Sequence, residues 1–158
     1  MQRVVFVFLF LQIKIIKKGG PSGVLPFKPR LYFQIGLHSK DVLILESIKS
    51  LLGVGEIYKS RSDLYEFKVS SIKDTSAIIN HFDNYPLITQ KFADYQLFKQ
   101  AYDVIINKNH LTKEGLAKLV SLKASMNLGI SDELKASFPK ITPVARPLVL
   151  NQEIKDPN

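Results

Sequence analysis

Polar and apolar positions alternate most regularly between Arg30 and His38. Leu31, Phe33, Ile35 and Leu37 fall on one side of an extended chain, and Arg30, Tyr32, Gln34, Gly36 and His38 on the other. Upstream, Val4–Lys18 is rich in Val, Ile and Phe, which suits a strand. Its end alternates too, with Gln12 and Lys14 opposite Leu11, Ile13 and Ile15. Gly19–Gly23 is a loop, and Pro26 and Pro29 keep the chain extended up to the second strand. Ile44, Leu45, Ile48, Leu51 and Leu52 then recur at helical spacing, with Ser39 or Asp41 available as cap and Gly53 as stop. Two short strands follow, Glu56–Arg61 and Leu64–Ser70, joined by a turn. In the latter, Phe67 and Val69 point inward while Glu66 and Lys68 point outward; the pattern leaves the faces of Lys59 and Arg61 open.

The second half has helical periodicity. Ser71 with Asp74 forms a capping-box pattern ahead of Ile72, Ile78, Ile79 and Phe82, and Tyr85-Pro86 ends that helix. Thr89 opens a longer helix with Phe92, Tyr95, Phe98, Tyr102 and Ile105, and Thr112 opens another with Leu116, Leu119, Val120 and Met126. Ser131-Asp132-Glu133 starts a short turn with acids at its positive end. Beyond Phe138 come Pro139, Pro143 and Pro147, which predict an extended, mobile tail. The order β-β-α-β-β-α-α-α predicts an α+β fold, a four-stranded antiparallel sheet with helices on one face.

Charge adds direction to this pattern. The 158 residues carry a net +8. Arg3, Lys14, Lys17, Lys18, Lys28, Arg30 and Lys40 all precede the first carboxylate, Asp41, so the excess sits in the first strands. A one-sided basic balance favours a polyanionic partner. With no Cys, disulfides and thiolate metal sites are excluded, and His38, His81 and His110 are scattered. No apolar run is long enough for a membrane-spanning helix, and no membrane partner is expected. Val4–Leu11 lacks the small-residue cleavage site of a signal peptide. Gly53-Val54-Gly55 is a helix stop, without the third Gly or following helix of a phosphate loop. No nucleophile elbow or metal-binding acid pair is visible.

Candidate chemistry therefore rests on the wet sheet face. Lys14, Arg30, Tyr32, Gln34, His38 and Lys68 belong to it, with Lys40, Lys59 and Arg61 nearby. Arg and Gln can read guanine and adenine edges through paired hydrogen bonds, while Lys and hydroxyls serve phosphates.

Several segments resemble the LAGLIDADG homing endonucleases of the intron-encoded, organellar kind. They include Phe33-Gln34-Ile35 running into His38-Ser39-Lys40-Asp41, Gly55-Glu56-Ile57-Tyr58-Lys59, and Tyr85-Pro86-Leu87-Ile88-Thr89-Gln90-Lys91. Further on are Lys108-Asn109-His110-Leu111-Thr112, Lys123-Ala124-Ser125-Met126-Asn127 and Pro139-Lys140-Ile141-Thr142-Pro143. The resemblance implies half of a DNA-cleaving protein, its saddle-shaped sheet lying in the major groove. It also implies Mg²⁺ held by an acid on the helix that names the family, a mitochondrial location, and Lys91 as an active-site lysine. Residues 1–10, where that helix belongs, contain no Gly, Asp or Glu. The expected organisation is a degenerate or unrelated segment over 1–10, a half-domain over 11–138 and a Pro-containing tail over 139–158. No metal ligand is assigned in this chain, and no cofactor is expected to bind it alone. Double-stranded DNA is the expected partner, with a second half-domain supplying the acidic helix. The alternatives are an RNA-splicing maturase that binds intron RNA and a non-functional remnant.

Overall fold

The computed structural model describes residues 7–18, 26–126 and 129–149. Residues 1–6, 19–25, 127–128 and 150–158 lie outside the described residues.

Among the described residues four strands form one antiparallel sheet: β1 (Phe8–Lys17), β2 (Phe27–His38), β3 (Glu56–Arg61) and β4 (Leu64–Val69). Their spatial order is β1-β2-β4-β3. Between β2 and β3 comes α1 (Val42–Leu52); after β4 come α2 (Ile72–Asn84), α3 (Lys91–Ile106), α4 (Lys113–Ala124) and α5 (Asp132–Ser137). The α+β expectation holds. None of the described helices is long and apolar enough to cross a membrane.

The alternation read from the chain becomes the two faces of the sheet. Leu11, Ile13, Leu31, Phe33, Ile35, Leu37, Phe67 and Val69 are all buried on the helix side. There Phe33 meets Phe67 and Phe82 edge-on, and Phe82 meets Tyr95, with ring centroids 6.2, 5.6 and 5.5 Å apart. Such aromatic contacts add directionality to area-driven burial. Ser71, Thr112 and Ser131 accept hydrogen bonds from Asp74 N, Gly115 N and Leu134 N, capping α2, α4 and α5. Gly53 closes α1 in the left-handed conformation, φ 70°.

Four details differ from expectation. β1 begins at Phe8, so Phe8–Phe10 pair with Gly36–Gln34 and belong to the sheet rather than to a separate leading segment. β2 begins at Phe27 and includes Pro29, which it tolerates because β4 pairs only from Phe33 onward and leaves that stretch with one neighbour. α1 buries a narrower seam than its periodicity suggests. Leu45 is buried and Ile48 and Leu52 pack on the core, but Ile44 and Leu51 are exposed, because α1 lies at the β3 side with α2 as its helical neighbour. Neither Ser39 nor Asp41 caps α1 through its side chain; His38 Nδ1 instead accepts from Lys40 N at 3.2 Å and caps the 3₁₀ turn Ser39–Asp41.

The segment after α5 is extended but not loose. Val144 N donates to Ser121 O (3.4 Å), Ser125 Oγ donates to Val144 O (2.5 Å), and Arg146 bonds Ser125 O and Gln90 O. A proline-rich strap, unable to form a helix, finds its hydrogen bonds on α4 and at the start of α3.

Candidate nucleic-acid interface

Directly paired residues of an antiparallel sheet share a face, so register assigns the open side row by row. Lys14 lies opposite Arg30, Gln12 opposite Tyr32, and Phe10, Gln34, Lys68 and Glu56 line up across all four strands. The next row is Phe8, Gly36, Glu66 and Tyr58, followed by His38, Leu64 and Arg61. At the other end Ile16 faces Lys28. Lys14, Lys28, Arg30 and His38 are exposed, and Gln12, Gln34 and Lys68 half-buried.

The faces of Lys59 and Arg61 are decided by a break in the β3–β4 register between them. Lys59 pairs with Tyr65 in a helix-side row, although on the outer strand it remains exposed. Past the irregularity, Arg61 pairs with Leu64 in the row of His38, on the open side. Lys40 stands exposed on the turn beyond β2. His38 Nδ1 accepts from Lys40 N, so in the neutral ring the proton is carried on Nε2.

Tyr32 departs from the expected exposed group: it is only 7% accessible. No helix covers it. The ammonium groups of Lys14 and Lys68 sit 5.0 and 4.2 Å from its ring centroid, so two lysine stems roof the ring and hold their charges over it. On β3 and β4, Tyr58 Oη donates to Glu66 at 2.6 Å. Burial, with the Glu66 carboxylate second, pushes the Tyr58 phenol up to about 12. The basic end of the face is therefore the β1–β2 end.

Lys91 opens α3 and reaches the β1 edge, its ammonium 5.6 Å from the Phe10 ring. A cavity of about 150 Å³ lies beside it, lined by Phe10, Gln12, Lys14, Lys91, Lys123 and Met126 among others. Lys123, at the end of α4, was missed by sequence reasoning, because only tertiary packing brings it against β1. Burial, with Lys14 nearby, holds its ammonium below the ordinary lysine value. Gln12 and Lys28 could have been found, since each shares the alternation of Lys14 or Arg30. Behind Lys91 lies Asp94, its side chain 3% accessible, with Arg146 at 2.9 Å and Lys91 at 3.8 Å from its two oxygens.

Three ammonium groups around one small cavity suit an oxyanion and repel a divalent cation. Among the described residues, no three His, Asp or Glu side chains converge as metal ligands. The residues described thus do not fit Mg²⁺ by themselves.

A family model described as LAGLIDADG endonuclease matches residues 12–102. The chain is 46% identical over 137 residues to "Probable intron-encoded endonuclease 3" of Neurospora crassa, covering 85% of this chain and 26% of that protein. It is 47% identical over 83 residues to "Uncharacterized 50.9 kDa protein in ND4 intron 1" of Podospora anserina, 51% of this chain and 18% of that one. Among solved structures, I-SmaMI bound to uncleaved DNA with calcium ions superposes at TM-score 0.87 and 38% identity, over 94% of this chain and 51% of its own. The LAGLIDADG meganuclease I-CpaMI bound to uncleaved DNA superposes at 0.86 and 45% identity, over 94% and 50%. The chain thus spans about a quarter of the first of these curated relatives and half of these solved chains. Sheet, register and relatives agree: this chain belongs to the LAGLIDADG endonuclease family.

Proposed function

We propose that this chain is a nucleic-acid-binding half-domain of an intron-encoded homing endonuclease, which docks its open sheet face on duplex DNA and does not cut by itself. One observation carries the reading: the open sheet side presents Lys28, Lys14, Arg30, Gln34 and Lys68 within four successive rows, with Arg61 two rows further on, beyond the row of Glu66 and Tyr58. Solved relatives over nearly the whole chain are described as bound to DNA, which supports the same partner. Lys91, with Lys14 and Lys123, would meet a backbone phosphate at the β1 edge. A second half-domain supplying carboxylates is supported by that edge itself. Among the described residues β1 has a neighbour on one side only, and Phe8 and Phe10 on it and Val7 just before it stand exposed, a combination that invites another chain. A mitochondrial location rests on the family resemblance and accords with relatives named for ND4 and cox1 introns.

The test is a titration of labelled duplex DNA at rising KCl. If Lys14, Lys28, Arg30 and Arg61 each neutralise one phosphate, affinity falls roughly as the third to fourth power of salt. A flat dependence overturns the proposal. Folded intron RNA competing better than duplex DNA would replace it with the maturase reading.

A further inference from the structure

We infer that duplex DNA lying on the open sheet face is also held where the sheet ends, in a cleft between the start of β2 and the turn after α3. There Lys108 and His110 meet a backbone phosphate. The inference rests on the reading that the open face docks on duplex DNA.

The cleft exists because β4 stops early. Its last residue, Val69, pairs with Phe33, and Ser71 then caps α2 and turns the chain away. Among the described residues Phe27–Tyr32 therefore have β1 as their only strand neighbour. Beside that free edge lies an open cleft of about 550 Å³. Pro29, within this stretch, has no N–H to offer, so the edge is a poor template for an added strand. Lys28 and Arg30 line the cleft from the sheet, Lys108 and His110 from the turn, and no carboxylate is among its lining residues. Leu31 and Ile105 supply apolar wall. Cations beside an apolar wall suit a sugar–phosphate backbone, which offers deoxyribose carbons as well as phosphate oxygens. Register also places Lys28 and Arg30 on the open face, so the cleft continues that face round the edge of β2.

The fold leaves these groups uncommitted. Among the described residues no ion pair engages Lys28, Arg30 or Lys108. His110 Nδ1 is buried without a hydrogen-bond partner among them. Lys108 follows the end of α3 in the left-handed conformation, φ 59° and ψ 13°, at a position that glycine usually takes. No contact of its exposed side chain offsets that strain, and strain of this kind collects at functional positions. The turn is nevertheless fixed. Leu111 N donates to Lys108 O at 3.1 Å, and Asn109 O accepts from Thr112 N and Oγ1 at 3.0 and 2.8 Å.

Salt titrations of the full chain on the duplex it binds best, with phosphates mapped there by ethylation interference, test this. Lys108→Met should make the salt slope shallower by about 0.9. Lys108→Gly should do the same while melting no lower than the parent, because glycine relieves the left-handed backbone. Weaker binding in that variant is then not a loss of fold. In the parent, ethylated phosphates at the footprint margin away from Arg61 should block binding, and in Lys108→Met they should not. His110→Leu should weaken binding about fivefold at fixed salt, the loss of one hydrogen bond. The inference is overturned if the Lys108 variants keep the parent slope and interference pattern, or if His110→Leu keeps the parent affinity. A parent without any salt slope would strike the docking of the open face itself; a parent slope that the Lys108 variants share strikes this cleft alone.

Discussion

Burial and the nearby Lys14 hold the Lys123 ammonium below its ordinary value of 10.5, so at neutral pH the folded chain keeps a proton that the unfolded chain binds more strongly. The charged form therefore subtracts stability, and stability recovers as pH climbs from the folded value toward 10.5. Lys123→Met should raise the melting temperature at neutral pH, by an amount that shrinks in alkaline buffer. Asp83 shows the opposite sign. Hydrogen bonds from Lys99, and next from Tyr95, hold its carboxyl below the ordinary 3.8. Its contribution is complete above that value and lost as pH falls through the lower folded one. Melting curves of Asp83→Asn should lie below the parent at neutral pH and converge with it in strong acid. On the open face, Arg30→Ala and Gln34→Ala should each cost about 1–3 kcal/mol of discrimination between duplex sites wherever they make paired base contacts. Tyr32→Phe should leave binding unchanged, since the ring is what Lys14 and Lys68 rest on. Loss of affinity in that variant would show that the hydroxyl reaches DNA.

Among the elements, the start of α4 is the most tightly constrained. A Cβ at Gly115 would stand 1.8 Å from Asn109 O, so the turn Asn109–Leu111 packs directly on the helix backbone. Gly115→Ala must move one of them and should destabilise by about 1–3 kcal/mol, measurable by urea denaturation. A value near zero would mean that the turn yields freely. The turn is entered through Lys108 at φ 59°, a left-handed residue that follows α3. Helix starts were legible because Ser71, Thr112 and Ser131 bond groups three residues away, and local chemistry needs no tertiary information. The seam of α1 was less so. Periodicity reports which residues could be buried, whereas Leu51 and Ile44 stay exposed because little packs against that side of the helix.

For the whole molecule, the proposed function has this chain bind DNA without cutting it. Phosphodiester hydrolysis needs groups that activate water and neutralise developing charge, and the cavity beside Lys91 holds ammonium groups instead. Plasmids carrying the duplexes this chain binds best should therefore stay uncut with Mg²⁺ and the isolated chain. Robust nicking would mean that a carboxylate from elsewhere in the chain reaches the scissile phosphate.

Composition and alternation alone established an antiparallel sheet with one apolar and one basic face, and the helices that cover the first. Period-two and 3.6-residue patterns are local, and burial of one face selects them. Strand order, the side taken by Arg61, the roofing of Tyr32, and the meeting of Lys91 with Lys123 and Arg146 were decided by the tertiary structure. Each depends on segments far apart in sequence or on a single register irregularity. A one-residue slip moves a side chain to the other face of a sheet, and no pattern of residue types along the chain records where that slip occurs.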